Sequence, residues 1–251
     1  TGEYKVLINV PISIASAIAA SAVPTLTTAF SSGNMDTVRS QIRSATRFIL
    51  IVAFPCMVGM AVLSSPIMLF LFSDSDATSG NMLLAGSLAI VFYSLSTLSN
   101  GLLQGIDRLR IPVRNAAIAL VLQLVFLVVA LRAFDLNIFA VVYANAFYAF
   151  VMCILNNIAV VKYSGAHQDF RSMYLLPAIA SAVMGVAAYL VYQLLHLITH
   201  TASVSCIVAI VVGAGIYFIV MLLIHGITRE DMGRFPGGTY LIRIAEKMRL
   251  L

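Results

Sequence analysis

The chain has no tryptophan, only ten acidic residues in 251, and charged residues amount to 10% of the whole. A soluble domain carries about a quarter of its residues as Asp, Glu, Lys or Arg. With 61% hydrophobic residues and a mean hydropathy of +1.00, this sequence has too little polar surface for a soluble fold and is expected to be an integral membrane protein. Without tryptophan, tyrosine is left as the interfacial aromatic. Cys56, Cys153 and Cys206 fall in three separate apolar runs at spacings that fit neither a disulfide framework nor a zinc site, and read as small buried hydrophobes. The net charge of +5 is spread over short loops, with no basic domain to hold a duplex, which argues against nucleic acid as a partner. The opening TGEYK has neither an initiator methionine nor a signal-type apolar region, so the sequence reads as cut from something longer.

Chemistry-bearing patterns are also scarce. No Asp or Glu lies inside an apolar run, although intramembrane acids are the usual mark of ion coupling, so any coupling acid is expected elsewhere. His196 and His200 have ligand spacing but lack the glutamate of a zinc hydrolase, and read as an interfacial pair. There is no phosphate-cradling loop, nucleophile motif or short repeat. The chain is therefore expected not to be an enzyme and to need no metal or cofactor.

What the chain does have is long charge-free runs, at 6–35, 48–73, 77–106, 115–131, 136–161 and 172–228. A crossing takes about 20 apolar residues, so the last run is two crossings divided by the polar THTASVS at 199–205. This predicts an all-α protein with seven transmembrane helices, at about 5–30, 46–72, 79–106, 112–133, 136–162, 173–198 and 203–227. An odd number puts the termini on opposite faces. If the C-terminus is cytosolic, Arg39, Arg43, Arg47, Arg108, Arg110, Arg114, Lys162, Arg171, Arg229, Arg234, Arg243, Lys247 and Arg249 are all cytosolic, and of the 15 basic residues only Lys5 and Arg132 are not. That bias fixes the expected orientation. The expected units are a partial lobe of five helices over 1–165, a final helix pair over 166–228 and a cytosolic amphipathic tail over 229–251.

The first run is the most unusual. Between Ser13 and Ala22 every residue except Ile14 and Ile18 is Ala or Ser, with Pro11 and Pro24 on either side. In lipid, small residues mark close helix packing or the wall of a cavity, and a proline frees a carbonyl that neighbouring protein or water must satisfy. Arg39, Arg43 and Arg47 recur every fourth residue, either on the anionic cytosolic leaflet or as an inward extension of the second span. Pro55 falls mid-helix, and Ser64, Ser65 and Pro66 suggest a break with a short helix restarting at Pro66. Tyr93, Thr97, Asn100 and Gln104 form a one-sided polar stripe, fit either for a sugar or phosphate or for interhelical hydrogen bonds. A weaker stripe holds Asn145, Tyr148 and Asn156, while Ser181 to Gly185 and Ala209 to Gly213 are small-xxx-small pairs suited to packing the last two helices together.

Four stretches, VPTLTTAFSSGN, FPCMVGMAVLSSPIMLFLF, RIPVRNA and ITREDMGRFPGGTYLIRIAEKMRLL, in this order and spacing resemble the C-terminal half of the bacterial polysaccharide and lipid II flippases. The similarity is closest to the stage V sporulation protein B branch of the multidrug/oligosaccharidyl-lipid/polysaccharide exporter superfamily. The resemblance implies helices eight to fourteen of a fourteen-helix flippase in a bacterial cytoplasmic membrane. It also implies an undecaprenyl-pyrophosphate-linked saccharide as substrate, membrane lipids as surroundings and an N-terminal lobe as the missing partner. In lipid II flippases the eighth helix begins with an essential cavity arginine. Counting back from Pro24 puts Lys5 there, and counting from Pro11 puts Val6 there. A lysine meets pyrophosphate as a point charge without a bidentate fork; the other reading is a lysine snorkelling to the interface. The candidate cavity-lining residues are Lys5, Ser13, Ser16, Ser21, Tyr93, Thr97, Asn100 and Gln104, and by resemblance 174–198 and 204–227 form a groove for the lipid tail. The alternatives are a cation-coupled multidrug exporter of the same superfamily and a membrane saccharide polymerase or transferase. These 251 residues alone are expected not to transport, and flipping of a labelled lipid-linked sugar by the purified chain in liposomes would overturn that.

Overall fold

The computed structural model describes residues 3–72, 77–133, 137–199, 201–224 and 226. Among them every regular element is helical: α1 (Glu3–Ser31), α2 (Met35–Val62), α3 (Ser64–Phe72), α4 (Ala77–Ser87), α5 (Ile90–Gly105), α6 (Arg110–Ala133), α7 (Asn137–Ser164), a π-helical turn (Arg171–Leu175), α8 (Leu176–Thr199) and α9 (Ala202–Leu223). Among the described residues six helices are long and apolar enough to cross a bilayer, and α4 with α5, bent by 46° at their break, together have the length and composition of a seventh. The protein is thus an all-α integral membrane protein. The expected tail at 229–251 and residues 73–76 lie outside the described residues.

Two crossings depart from the expected outlines. The second begins at Met35 rather than near 46, because Asn34 accepts from Thr37 N at 3.1 Å and caps the helix there. The arginine-bearing segment therefore continues the span as one helix instead of lying apart from it along a leaflet. The break in that span falls at Leu63, and α3 restarts at Ser64, two residues before the expected Pro66. Pro66 then sits in the first turn, where its missing N–H leaves no helical bond unmade. The third crossing, expected to be continuous, is broken at Leu88 and Ala89. Ser87 Oγ turns back onto Leu84 O at 2.7 Å, and Ala89 N closes a tight turn on Gly86 O at 3.0 Å. A Gly-Ser pair is a common cause of a kink, and hydropathy does not register it.

Close approach holds α1 against this bent crossing. One face of α1 buries Tyr4, Ile8, Pro11, Ala15, Ala19, Leu26 and Ala29. It lies on three glycines, where an added Cβ would fall 2.6 Å from Ile8 Cδ1 at Gly86, 2.7 Å from Ala19 Cβ at Gly101 and 2.9 Å from Leu26 Cβ at Gly105. Real side chains do not approach so closely, so the backbones meet only because both surfaces are small. Within hydrocarbon, where apolar side chains gain little by leaving lipid, such contacts supply much of the adhesion.

Polar bonds and aromatic contacts join the other helices. Asn115 of α6 donates to Asn156 of α7 at 2.9 Å, and Asn156 donates to Asn100 of α5 at 2.7 Å, a chain of carboxamides across three crossings. Gln123 donates to Asn145 at 2.9 Å, and Phe126 stacks on Phe147 with ring centroids 4.8 Å apart, fixing α6 to α7. The small pairs of the last two helices are shared out differently from expectation. Gly213 of α9 faces α8, where its Cβ would lie 3.2 Å from Ala188 Cβ, but Gly185 of α8 faces α2, where its Cβ would lie 2.5 Å from Val58 Cγ1. Consequently α8 is wedged between α2 and α9.

Two arginines of α2 bolt helix ends together. Arg39 Nε donates to Ser164 O, at the end of α7, and Arg47 donates to Gly226 O, just past α9, both at 3.1 Å. A guanidinium at a helix C-terminus meets orphan carbonyls and the negative end of the dipole.

The Gly101→Ala substitution is expected to destabilise the protein by about 1 to 3 kcal/mol, because Ala19 backbone stands behind the clash, and Ala19→Gly is expected to restore part of the loss. Unfolding of the single and double variants in mixed micelles measures this; additive losses would mean that the two helices do not meet there.

Candidate functional site

The bend between α4 and α5 opens a cavity of about 230 Å³, lined by polar and apolar side chains together, at the end of the bundle away from Arg39 and Arg47. Tyr4, Lys5, Ile8 and Asn9 of α1 line it together with Gly86 and Ala89 at the break, Tyr93 of α5, and Val142 and Asn145 of α7. The location follows from the local fold. Gly86 lets α1 come close, the turn at 86–89 carries α4 away from α5, and Tyr93 on the first turn of α5 fills part of the gap. The carboxamide oxygen of Asn145 is held by Gln123, which orients the amide. Among the described residues the one ion pair is Arg39 with Asp36 at 3.3 Å, so Lys5, which is exposed, has no carboxylate neutralising it there. The site can offer an anion a cationic donor, two amides and two phenols.

Lys5, Asn9, Ser13 and Ser16 share an exposed face of α1 beside the one that buries Ala15 and Ala19, whereas Thr27 donates to Gly105 O of α5 at 3.2 Å. The hydroxyls on this helix are partly engaged already: Ser13 Oγ donates to Asn9 O at 2.8 Å and Ser21 Oγ to Ile18 O at 2.9 Å. Each keeps its acceptor lone pairs for a ligand or water. Ser21 lies elsewhere, in a cavity of about 320 Å³ between α1 and α2 with Thr25, Gln41 and Phe48.

The polar stripe on α5 runs along α7, and its members divide. Tyr93 faces the cavity, Thr97 is half-buried, Asn100 is taken up by Asn156, and Gln104 is exposed. Of the two sequence readings of this stripe, interhelical bonding describes Asn100. Asn9 and Asn145 belong to the cavity although neither was among the candidates. Asn9 sits four residues after Lys5, a helical spacing that was visible, whereas the meeting of Asn145 with Lys5 depends on packing that no local pattern records.

The basic residues likewise separate. Arg39 and Arg47 are helix-end bolts, while Arg43 is exposed. Arg108 lies over the Tyr163 ring, with Cζ 4.8 Å from its centroid, and Arg110 and Arg114 are exposed at the start of α6.

A second space differs in character. Between α2–α3 and α8–α9 lies an apolar groove of about 500 Å³, walled by Pro55, Gly59, Met60 and Ile67 on one side and by Met184, Ala209, Gly213 and Tyr217 on the other. Gly59 and Gly213 keep it open by having no side chain to fill it. Its dimensions and lining suit a hydrocarbon chain and not a headgroup. The cavity lies among α1, α4, α5 and α7 and the groove among α2, α3, α8 and α9.

Comparison with known proteins bears on this arrangement. Residues 5–213 match the family described as lipid II flippase MurJ. The chain is 26% identical over 221 residues to the lipid II flippase MurJ of Bacillus subtilis (strain 168), an alignment covering 84% of this chain and 40% of that relative. The chain therefore spans less than half the length of the curated relative it matches. Neither the multidrug exporter nor the saccharide polymerase or transferase is favoured by these matches. Since the match runs from Lys5 of the polar cavity to Gly213 of the groove, the chain belongs to the MurJ lipid II flippase family.

Proposed function

We propose that this chain supplies one wall of a flippase that carries an undecaprenyl-pyrophosphate-linked saccharide, a peptidoglycan or polysaccharide precursor, across the bacterial cytoplasmic membrane by alternating access. The observation that carries the reading is the pairing of a lysine-bearing polar cavity with a separate apolar groove in one bundle. A pyrophosphate and its sugars would lose their hydration in crossing about 30 Å of hydrocarbon, a cost no single membrane-facing surface can offset. A passage keeps the head wet while the tail stays in an apolar setting.

In this reading the exposed face of α1 with Lys5, Ser13 and Ser16, and Ser21 and Thr97 at its margins, lines the passage, and Tyr93 stands at its mouth. Asn100 holds the shape of the wall, and Gln104 lies beyond it. Lys5 meets the pyrophosphate as a point charge, and α8 and α9 with α2 receive the tail. The first residues of the chain lie outside the cell and its C-terminus is cytosolic, as the arginine distribution favours. The opposite wall comes from an N-terminal lobe, consistent with the part of the relative that this chain does not span. Within the family the chain sits near the stage V sporulation protein B branch, on the strength of the four sequence stretches.

Removing the charge should matter more than changing the shape of the cationic head. In the full-length protein Lys5→Gln is expected to lower flipping of a fluorescent lipid-linked saccharide in proteoliposomes by about tenfold or more, the loss of one hydrogen bond to a charged group, whereas Lys5→Arg keeps most activity. Parent-like flipping by Lys5→Gln would remove Lys5 from the headgroup path.

A further inference from the structure

The apolar groove is closed at one end by a polar bond. Pro55 has no N–H, so the Ile51 carbonyl, four residues back, is left without its helical partner. Tyr217 of α9 supplies the missing donor: its hydroxyl, 7% exposed as a residue, donates to Ile51 O at 2.8 Å across the gap between the helices. The phenol ring is thereby held across the groove, because turning it away would leave both a buried hydroxyl and a buried carbonyl unpaired in an apolar setting. Beyond this ring the space ends. Met221, Leu222 and Ala180 pack with Ile51 and Tyr217 into a continuous buried cluster, and Arg47 fastens the end of α9 to α2. On the other side Gly59, Ala209 and Gly213 leave the walls apart. The groove is therefore blind toward the arginine-rich face and open away from it.

We infer that Tyr217 is the floor of this groove, a specificity-determining residue that stops a bound polyprenyl chain one turn short of Met221 and so sets how much of the chain the groove takes. The inference rests on the tail-groove reading under Proposed function, and the polyprenyl occupant follows from the family match to lipid II flippases. Sequence alone marks Pro55 as a kink; it does not show that the carbonyl freed there is claimed by a residue 166 positions away that also blocks the groove.

A polyprenyl phosphate carrying a photoreactive group at the far end of its chain, applied to the full-length protein in nanodiscs, tests this by the positions labelled. The parent is expected to be labelled at Met60 and hardly at all at Met221. Tyr217→Phe, which keeps the ring but not its anchor, should raise the Met221 label several-fold, and Tyr217→Ala about tenfold or more, with the Met60 label retained. Should the alanine variant fold poorly, the phenylalanine variant decides alone. Equal Met221 labelling in parent and variants, with Met60 labelled in all, would overturn the floor and leave the groove reading standing. Absence of label at Met60 throughout, or its displacement by ordinary phosphatidylglycerol at equal concentration, would overturn the groove reading and the floor with it.

Discussion

A helix bundle in lipid cannot rely on apolar side chains escaping water, and every backbone group within the hydrocarbon must find a partner inside the protein. Much of this molecule answers to that pair of constraints. Glycines at 86, 101 and 105 let α1 approach the bent α4–α5 crossing, and carboxamides bridge α5, α6 and α7. The carbonyl that Pro55 frees is taken by Tyr217. Because α1 spends its Ala15 and Ala19 face on that approach, its Ser13 and Ser16 face is left for something other than its neighbours in the bundle. The small-residue helix thus packs on one side and leaves an exposed, hydroxyl-bearing face on another.

The two ends of the bundle are built differently. At one end Arg39 and Arg47 fasten α7 and α9 to α2, and the groove is sealed. At the other, a broken crossing surrounds a polar cavity and an exposed lysine. Within one unit, then, a fastened end and an end with an uncommitted cationic surface lie apart. The asymmetry also explains why the basic residues differ in role although the sequence presents them as one class: an arginine near a helix end finds carbonyls, while Lys5 finds none of the acids that would neutralise it among the described residues.

Hydropathy and charge were enough to read six helices of crossing length and the α4–α5 pair, because about 20 apolar residues between charges is a signal that packing does not alter. The bend at Gly86 and Ser87 escaped since both flanks are apolar and no proline marks it. Helix-end capping by Arg39 escaped for a different reason: its partner, Ser164 O, is 125 residues away and belongs to the backbone, which carries no sequence signature. Lys5 and Tyr93 were both recognisable as candidates, one by resemblance and the other by its stripe. Their meeting with Asn9 and Asn145 depends on α1, α5 and α7 converging, and single-helix patterns hold no information on that. Gly185 shows the same limit. Its spacing from Ser181 announced a packing surface, but not that Val58 of α2 would occupy it.

The claim on which the account turns is that α1 is two-sided, buried against α4–α5 and open to a wet passage. Single cysteines placed from Ser13 to Ala20 in the full-length protein, with Cys56, Cys153 and Cys206 replaced, and exposed to a water-soluble thiol reagent, test it most directly. Labelling should follow the helical period, strong at 13, 16 and 20, absent at 15 and 19, and reduced at the strong positions by a lipid-linked saccharide. Labelling strongest at 15 and 19, or none at 13, 16 and 20, would contradict it.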